Sequence, residues 1–323
     1  MRATLSLFKS VTILGSSGNI GQPLSLAMVQ SPHVTDLRLY DRSDASGIAA
    51  DLSHMPVPVR VRGFGPRDLD KALKGADLVL IPAGLSRKPG MTRDDLFNTN
   101  ALTVEELTLG VAQYAPNAII GLITNPLNSM ISVAAETLRR KGVFDPRKLL
   151  GVTALDVIRA RTFLSNMVGI NASELRVPLI GGHSGQTIVP LFSQSGIALS
   201  AQQIEFLTHR VRRGGDDVVR AKAGAGSASL TMAYASAKWS ASVLRALKGD
   251  RGMVECSLVK SPLMEPKVEF FASLIALGTE GVERVLPLPP LSPYEEEQLD
   301  RCLPDLEMNI RKGVEFVASR QQQ

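Results

Sequence analysis

Residues 11–21 read VTILGSSGNIG, an apolar run that leads directly into three glycines, Gly15, Gly18 and Gly21. The run predicts a buried strand, and a helical pattern follows it. Glycines in such a strand-to-helix turn let the backbone approach a pyrophosphate, which then binds the amide groups at the helix N-terminus. Glycine triplets also occur in ordinary turns, so the prediction depends on the flanking strand and helix. We predict a dinucleotide-binding turn at residues 15–21.

Asp41 stands at the end of the next apolar run. A carboxylate at this point of a dinucleotide-binding unit accepts hydrogen bonds from the ribose hydroxyls of NAD and repels the 2′-phosphate of NADP. Arg42 follows immediately and leaves some tolerance of NADP open, and Asp41 could instead serve only as a turn-forming residue. We predict NAD as the cofactor. Its predicted contacts in this region are Gly15, Gly18, Asn19, Ile20, Gly21 and Asp41.

Short apolar runs alternate with longer helical patterns through the first half of the chain. Continuous rather than alternating hydrophobicity is typical of parallel strands that are buried on both faces. This order predicts the α/β class, with an N-terminal Rossmann domain built as a doubly wound parallel sheet. The predicted strands are residues 11–14, 37–40, 78–82, 119–123 and 149–152, and the predicted helices are residues 21–30, 94–114 and 127–141.

The second half mixes strands and helices less regularly, which predicts a C-terminal α+β substrate domain. We expect two domains from the chain length of 323 residues. The predicted division is an NAD-binding Rossmann domain over residues 1–150 and a catalytic, substrate-binding domain over residues 151–323. Predicted strands here are residues 175–180, 187–192, 253–260 and 268–274; predicted helices are residues 201–223 and 227–247, with a last helix after Ser292 and Pro293.

Composition excludes several classes of protein. The chain is 44% hydrophobic and 21% charged, as in ordinary globular proteins, and no apolar run approaches the roughly 20 residues of a membrane span. Only two cysteines are present and the four histidines are scattered, so we expect neither a disulfide framework nor a metal site. The net charge of +5 is spread along the chain and aromatics are only 5%, so we expect no nucleic-acid partner.

Two arginines, Arg87 and Arg93, flank a Pro-Gly turn between an apolar run and a helical pattern. Arginine binds carboxylates with two parallel hydrogen bonds and stays charged at any working pH. The segment therefore predicts a lid that closes over a small, doubly negative substrate. The alternative interpretation is a solvated basic loop.

Four further residues have the chemistry of a proton-transfer site. His183 lies in a Gly-Gly-His-Ser-Gly segment, and imidazole is suited to accept a hydroxyl proton because it titrates near neutral pH. Asp156 and Arg159 are three residues apart on a predicted helix, where they share a face and could fix the imidazole and bind a carboxylate. Asn125 ends a strand and could donate to a substrate oxygen. The alternatives are a structural histidine and a surface ion pair.

Together these motifs resemble the lactate/malate dehydrogenase family, and within it the NAD-dependent malate dehydrogenases of mitochondrial or bacterial type. The similarity extends from Val11 to about Lys312. It implies the reversible oxidation of (S)-malate to oxaloacetate by hydride transfer to NAD. It also implies a homodimer or homotetramer.

The resemblance implies a role for each matching residue. His183 would accept the proton as a dyad with Asp156, while Arg159 would bind the carboxylate beside the reacting carbon. Arg93 would polarise the reacting oxygen, and Arg87 would bind the second carboxylate and so select malate over lactate. Contacts to cofactor and substrate would come from Asn100 and Asn125, and Met232 would line the nicotinamide pocket.

The chain departs from the family pattern at Ser86, where proline is common, and at Asn19, where a small residue is usual. Ser86 leaves open a broader dehydrogenase of aromatic or branched 2-oxo acids. A non-catalytic protein with this fold that binds anions or RNA is the other alternative. The first ten residues contain Arg2 and Lys9 but no acid, as at the end of a mitochondrial targeting segment. We predict the mitochondrial matrix and a role in the tricarboxylic acid cycle, with the cytoplasm or another organelle as the alternative location.

Overall fold

The computed structural model describes residues 9–85, 93–224 and 226–320, without the side chains of residues 93–95. The first half contains β1 (Ser10–Leu14), α1 (Gly21–Val29), β2 (Asp36–Tyr40), α2 (Ser46–Leu52), β3 (Arg60–Phe64), α3 (Leu69–Leu73), β4 (Leu78–Ile81), α4 (Arg93–Tyr114), β5 (Ile119–Leu122), α5 (Leu127–Arg140) and β6 (Leu149–Val152). The second half contains α6 (Ala154–Val168), β7 (Leu179–Gly181), β8 (Ile188–Pro190), α7 (Ala201–Ala221), α8 (Ser229–Leu247), β9 (Met253–Lys260), β10 (Phe270–Gly278), β11 (Gly281–Val285) and α9 (Pro293–Ser319).

One mixed sheet runs through the described part of the chain. Its first six strands are parallel in the order β3-β2-β1-β4-β5-β6, so the chain moves outward from β1 and then returns to its other side. This reversal between β1 and β4 is the switch point at which open α/β sheets bind ligands. The antiparallel strands β9, β10, β7 and β8 continue the sheet from β6, and β11 pairs with β10. The predicted fold class is confirmed.

The strands that the sequence predicted in the first half are almost entirely buried. Strands β1, β4, β5 and β6 are buried along their whole length. Strand β3 was missed because it is the edge of the sheet: its residues are at most half-buried, and Arg60 and Arg62 interrupt its apolar pattern. Charged side chains are typical of edge strands, where they discourage pairing with another chain.

Two predicted strands of the second half are shorter than expected. Strand β7 begins only at Leu179, although the apolar pattern begins at Leu175. Leu175 and Val177 are fully or nearly fully buried against α6 and α7, so their hydrophobicity reflects helix packing rather than sheet pairing. Before β8, residues 185–187 form a 3-10 turn.

Helices from the second half complete the core of the first half. Trp239 of α8 is fully buried, donates through Nε1 to the Ser257 hydroxyl at 2.8 Å, and lies against Gly121 of β5. A Cβ on Gly121 would stand 2.8 Å from the indole ring, so only glycine fits there. On the opposite face of the sheet, α9 packs against α5. The division at residue 150 remains a prediction, and it would cross both a continuous sheet and shared cores.

Within the described ranges, no helix is long and apolar enough to cross a membrane. Cys256 and Cys302 are both buried and free, and burial raises the pKa of their thiols to about 11 and about 12. Neither is therefore a reactive thiolate at neutral pH.

Candidate active site

A cleft of about 760 Å³ lies at the switch point, beyond the carboxyl ends of β1, β2 and β4. Five of the predicted cofactor contacts line it: Gly15, Gly18, Asn19, Ile20 and Asp41. The sixth residue of the predicted group, Gly21, begins α1 directly behind the turn. The N-cap residue of this helix, Ile20, makes no side-chain capping hydrogen bond, which leaves that place for a phosphate.

The three glycines of the turn differ in how much space a side chain would have at each position. Gly15 has φ of +100°, and a Cβ there would stand 2.6 Å from the Cα of Ala83 on the neighbouring strand connection. A Cβ on Gly21 would stand 2.1 Å from the carbonyl oxygen of Gly15. At Gly18 the nearest atom would be 3.4 Å away, an ordinary contact. Gly15 and Gly21 are thus required by the packing of the turn itself, while Gly18 is its more open position.

Asp41 fixes the turn to the end of β2. One carboxylate oxygen accepts the Ser17 N–H at 3.0 Å, and the other accepts the N–H and hydroxyl of Ser43 at 3.0 Å and 2.8 Å. The turn-forming interpretation is therefore correct in part, since the Ser43 contacts form an Asx turn. The same carboxylate still lines the cleft, as an NAD ribose contact requires. The neighbouring Arg42 forms an exposed ion pair with Glu106 of α4.

His183 and Asp156 meet in the structure. Nδ1 of His183 lies 2.5 Å from Oδ2 of Asp156, and the aspartate is fully buried in the first turn of α6. An ionised carboxylate only accepts hydrogen bonds, so Nδ1 carries the ring proton and Nε2 is left as the basic atom. The helix N-terminus also stabilises the negative charge of Asp156.

Arg159 contacts the other oxygen of the same carboxylate, with Nη1 3.3 Å from Oδ1 of Asp156. The Arg159 side chain is only 14% exposed and that of Asp156 is 0% exposed, so the interpretation as a surface ion pair is wrong. The other side of the Arg159 side chain lies against α7. A Cβ on Gly214 would stand 3.0 Å from Nε of Arg159, while one on Gly215 would stand 3.9 Å from Nη2.

Asn100 and Asn125 are joined at the strand ends beside the cleft. Nδ2 of Asn100 donates to the carbonyl oxygens of Asn125 at 2.7 Å and Leu85 at 3.2 Å, while its Oδ1 accepts the Leu85 N–H at 2.8 Å. The peptide between Asn125 and Pro126 is cis. Asn100 is buried. Its hydrogen bonds to Leu85 and Asn125 connect the loops that follow β4 and β5.

Met232 is not among the residues that line the cleft. Met232 of α8 is 4% exposed and packs in the core. Arg87 and the side chain of Arg93 lie outside the described residues, as does Ser86. Among the residues whose placement is described, no cluster of three or more His, Cys, Asp or Glu side chains could hold a metal ion.

Sequence reasoning missed two contributors to the site. Gly214 makes room for Arg159, and Asn128 of α5 accepts the backbone N–H of His183 at 2.8 Å. Asn128 follows Pro126 at the start of a predicted helix, where asparagine is ordinarily read as a capping residue. Neither contact has a local sequence signal, because each joins residues that are distant in the chain.

Comparison with known proteins identifies the family of this chain. Residues 9–151 match the NAD-binding domain of lactate/malate dehydrogenases, and residues 153–317 match the α/β C-terminal domain of the same family. The chain belongs to the lactate/malate dehydrogenase family. The predicted family is confirmed, and with it the assignment as an oxidoreductase that uses NAD.

Individual dehydrogenases resemble the chain over nearly its whole length. Mitochondrial malate dehydrogenase of Saccharomyces cerevisiae is 51% identical over 315 residues, which cover 96% of this chain and 94% of that protein. Peroxisomal malate dehydrogenase 2 of Arabidopsis thaliana is 52% identical over 310 residues, 95% and 87% of the two chains. The crystal structure of Cryptosporidium parvum malate dehydrogenase has a TM-score of 0.80 at 27% identity, covering 94% and 98%. The similar proteins are thus named for different compartments.

The cleft suits NAD on structural grounds as well. Its turn leaves a helix N-terminus that could bind a pyrophosphate, and the Asp41 carboxylate in the lining is an acceptor that ribose hydroxyls can donate to. Arg42 is engaged by Glu106, which weakens the case for NADP because a 2′-phosphate would have to compete with that carboxylate.

Proposed function

We propose that this dehydrogenase catalyses the reversible oxidation of (S)-malate to oxaloacetate. The observation that carries the proposal is that one buried carboxylate, Asp156, contacts both the imidazole of His183 and the guanidinium of Arg159. A base and a carboxylate-binding cation are thereby held side by side, as the oxidation of a 2-hydroxy acid requires. The relatives named malate dehydrogenase, 51% and 52% identical, support malate as the substrate.

His183 is the proton acceptor in this mechanism. Nε2 takes the hydroxyl proton of malate, and Asp156 holds the ring through Nδ1 and stabilises the imidazolium that forms. NAD, when bound in the cleft, supplies the acceptor for the hydride from the carbon that carries this hydroxyl. In the reverse direction the imidazolium returns its proton to the carbonyl oxygen of oxaloacetate.

Substrate binding is assigned to the arginines. Arg159 binds the carboxylate beside the reacting carbon, Arg93 polarises the reacting oxygen, and Arg87 binds the second carboxylate. The roles of Arg87 and Arg93 are supported by their match to the family pattern. Asn125 contacts cofactor and substrate, Asn100 contacts the cofactor, and Met232 lines the nicotinamide pocket. In the same proposal residues 1–150 bind NAD and residues 151–323 bind the substrate.

The proposed reaction is tested by oxidation of NADH with oxaloacetate, pyruvate and phenylpyruvate at matched concentrations. We expect a strong preference for oxaloacetate. Equal or faster rates with the two monocarboxylates would favour the broader 2-hydroxy-acid dehydrogenase that Ser86 leaves open. RNA retention without turnover of any of the three would favour the non-catalytic anion binder.

The variant His183→Asn tests the proton acceptor. We expect kcat to fall by about two to four orders of magnitude, because the hydroxyl proton loses its acceptor. NADH binding, followed by fluorescence titration, should be unchanged because His183 does not line the cofactor cleft. Loss of NADH binding would instead assign His183 a structural role.

The variant Arg87→Gln tests substrate selection. We expect kcat/KM for oxaloacetate to fall by about two orders of magnitude or more, because the second carboxylate would be desolvated without a cation. The rate with pyruvate, which lacks that carboxylate, should change little and is the internal control. Unchanged kinetics with oxaloacetate would contradict the assignment.

The proposal also covers the oligomeric state of the protein and its cellular compartment. We infer a homodimer, supported by exposed apolar side chains on the adjacent helices α1 and α8: Leu26, Leu230 and Tyr234 are 44%, 69% and 53% exposed. The segment around His54 resembles one that lies near the subunit contact in the family. The mitochondrial matrix and the tricarboxylic acid cycle are supported by relatives named as mitochondrial. Import of a fluorescent fusion into mitochondria or into peroxisomes would distinguish the two compartments.

A further inference from the structure

We propose that Asn128 is a positioning residue for His183 and sets the place from which the imidazole works. This inference rests on the proposed function, in which His183 is the proton acceptor. Asn128 is fully buried in the first turn of α5, and its side chain forms hydrogen bonds with His183 and with two residues that follow it, Ser184 and Thr187. It touches neither the imidazole nor the cofactor cleft, so its effect must pass through the backbone that carries the ring.

Both the oxygen and the nitrogen of the Asn128 side-chain amide form hydrogen bonds with the loop that carries His183. Its Oδ1 accepts the backbone N–H of His183 at 2.8 Å. Its Nδ2 donates to the hydroxyl oxygens of Ser184 and Thr187, each at 3.0 Å, and lies 3.4 Å from Oδ1 of Asn309 in α9. One side chain thus connects α5 to the loop that leaves β7 with the histidine.

The donors and acceptors of the loop require an amide at this position. The N–H of His183 can only donate, so it must face an oxygen. The Thr187 hydroxyl already donates to the carbonyl oxygen of Ser184 at 2.8 Å, so it presents a lone pair to Asn128 and must face a donor. A carboxylate would satisfy the first contact and oppose the second. Alanine would leave the His183 N–H without this partner.

Glycine at position 182 lets the amide lie directly against the loop. A Cβ on Gly182 would stand 2.6 Å from Oδ1 of Asn128 and 2.7 Å from the Thr187 hydroxyl oxygen. The preceding Gly181 has φ of +99°, which brings the chain back so that Gly182 N–H donates to the Thr187 carbonyl at 2.7 Å. The two glycines before His183 are therefore explained by the loop that Asn128 holds.

His183 is consequently held at two of its atoms, each by a residue from a different helix. Asp156 of α6 holds the ring at Nδ1, and Asn128 of α5 holds the backbone N–H. Without the hydrogen bond to Asn128, the imidazole can still contact Asp156 through Nδ1. The ring can then rotate about this contact, which displaces Nε2. A displacement of about 1 Å at a reacting atom can cost about 100-fold in rate. Because α5 begins two residues after Asn125, the same helix turn would align the base with a proposed substrate contact.

The test compares Asn128→Ala and Asn128→Asp with wild type. For N128A we expect kcat to fall about 10- to 100-fold with the Kd of NADH unchanged. Ser132→Ala is the matched control, because Ser132 is equally buried on α5 and its hydroxyl donates to the Ser129 and Ile310 carbonyls, away from the histidine loop. S132A should lower the thermal midpoint by a similar amount and leave kcat unchanged.

N128D adds a readout that a merely structural role would not move. Among the described residues, the charged groups that contact His183, its partner carboxylate or its loop are Asp156 and Arg159 on α6 and Arg212 of α7, which donates to the Gln186 carbonyl. A further carboxylate at position 128 favours the imidazolium, so the pH at half-maximal malate oxidation should rise relative to wild type. N128D also tests the inference if N128A does not fold.

Two results would overturn the inference. One is a kcat of N128A within about twofold of that of S132A, and the other is an N128D pH profile that coincides with wild type. His183→Asn is measured in parallel: if that variant keeps its turnover, the proposed function fails at the histidine itself. If H183N is inactive and the Asn128 variants behave like wild type, only the positioning role fails.

Discussion

The guanidinium of Arg159 lies against Gly214 of α7, at a place where a methyl group would be crowded. Gly214→Ala would put a Cβ 3.0 Å from Nε of Arg159, whereas Gly215→Ala would put one 3.9 Å from Nη2, an ordinary contact. Alanine is favoured over glycine in a helix by about 1 kcal/mol, so neither substitution should weaken α7 through its backbone. Residue size at position 214 is therefore expected to act on substrate binding rather than on folding.

We expect G214A to raise the KM for oxaloacetate about tenfold, because Arg159 must move away from α7 and from its contact with Asp156. The KM for NADH should stay unchanged. G215A is the control and should keep wild-type kinetics with an equal or higher thermal midpoint. The same KM for both variants would show that Arg159 tolerates the added methyl group.

At the scale of secondary-structure elements, strand β9 places the carboxyl group of Glu255 beside helices α6 and α8. Burial raises the pKa of Glu255, against the opposing effects of the Ser242 hydroxyl on α8 and of Arg161 on α6. An acid whose folded pKa lies above its unfolded value contributes stability below the unfolded pKa. That contribution is lost as pH rises through the folded pKa. The interface is thus least stable when Glu255 is ionised.

We expect Glu255→Gln to raise the free energy of unfolding by about 1 kcal/mol at about pH 8, a size typical of one substitution. The gain should be much smaller at about pH 4, just below the ordinary Glu pKa, where the wild-type carboxyl group is mostly protonated in both states. Gln keeps an oxygen for the Ser242 hydroxyl, which donates to the Glu255 carboxylate at 2.5 Å. Urea unfolding at both pH values measures this, with exposed Glu307→Gln as control. A gain that is equal at both pH values would contradict the burial explanation.

At the scale of the whole molecule, the apolar surface of α1 and α8 is where we expect a second copy to bind. Leu230→Asp and Tyr234→Glu should shift the protein from dimer to monomer in sedimentation velocity, because each puts a charge into a buried apolar interface. Met308→Asp is the control, since Met308 is similarly exposed, 52%, on α9. A wild-type sedimentation coefficient for both α8 variants would place the subunit contact elsewhere.

Much of the fold was predictable because it has local signals. The glycine turn, the fully buried strands and the spacing of Asp156 and Arg159 all follow from short-range chemistry and periodicity. The edge strand β3 was missed because partial exposure and two arginines remove its apolar signal. The start of β7 was misplaced because burial against helices gives the same apolar pattern as burial in a sheet.

The sequence by itself determined the fold class, the family and NAD as the cofactor, and it predicted the candidate site residues. Only the tertiary structure decided which partner each residue meets. Asn128 and His183 are 55 positions apart, and Asp156 and His183 are 27 apart. Local sequence patterns indicate whether a side chain is buried, but they do not indicate which residue it contacts. Contacts between residues so far apart in the chain depend on how the strands and helices pack. That is why His183 is recognisable in the sequence, while the asparagine that holds its backbone is visible only in the fold.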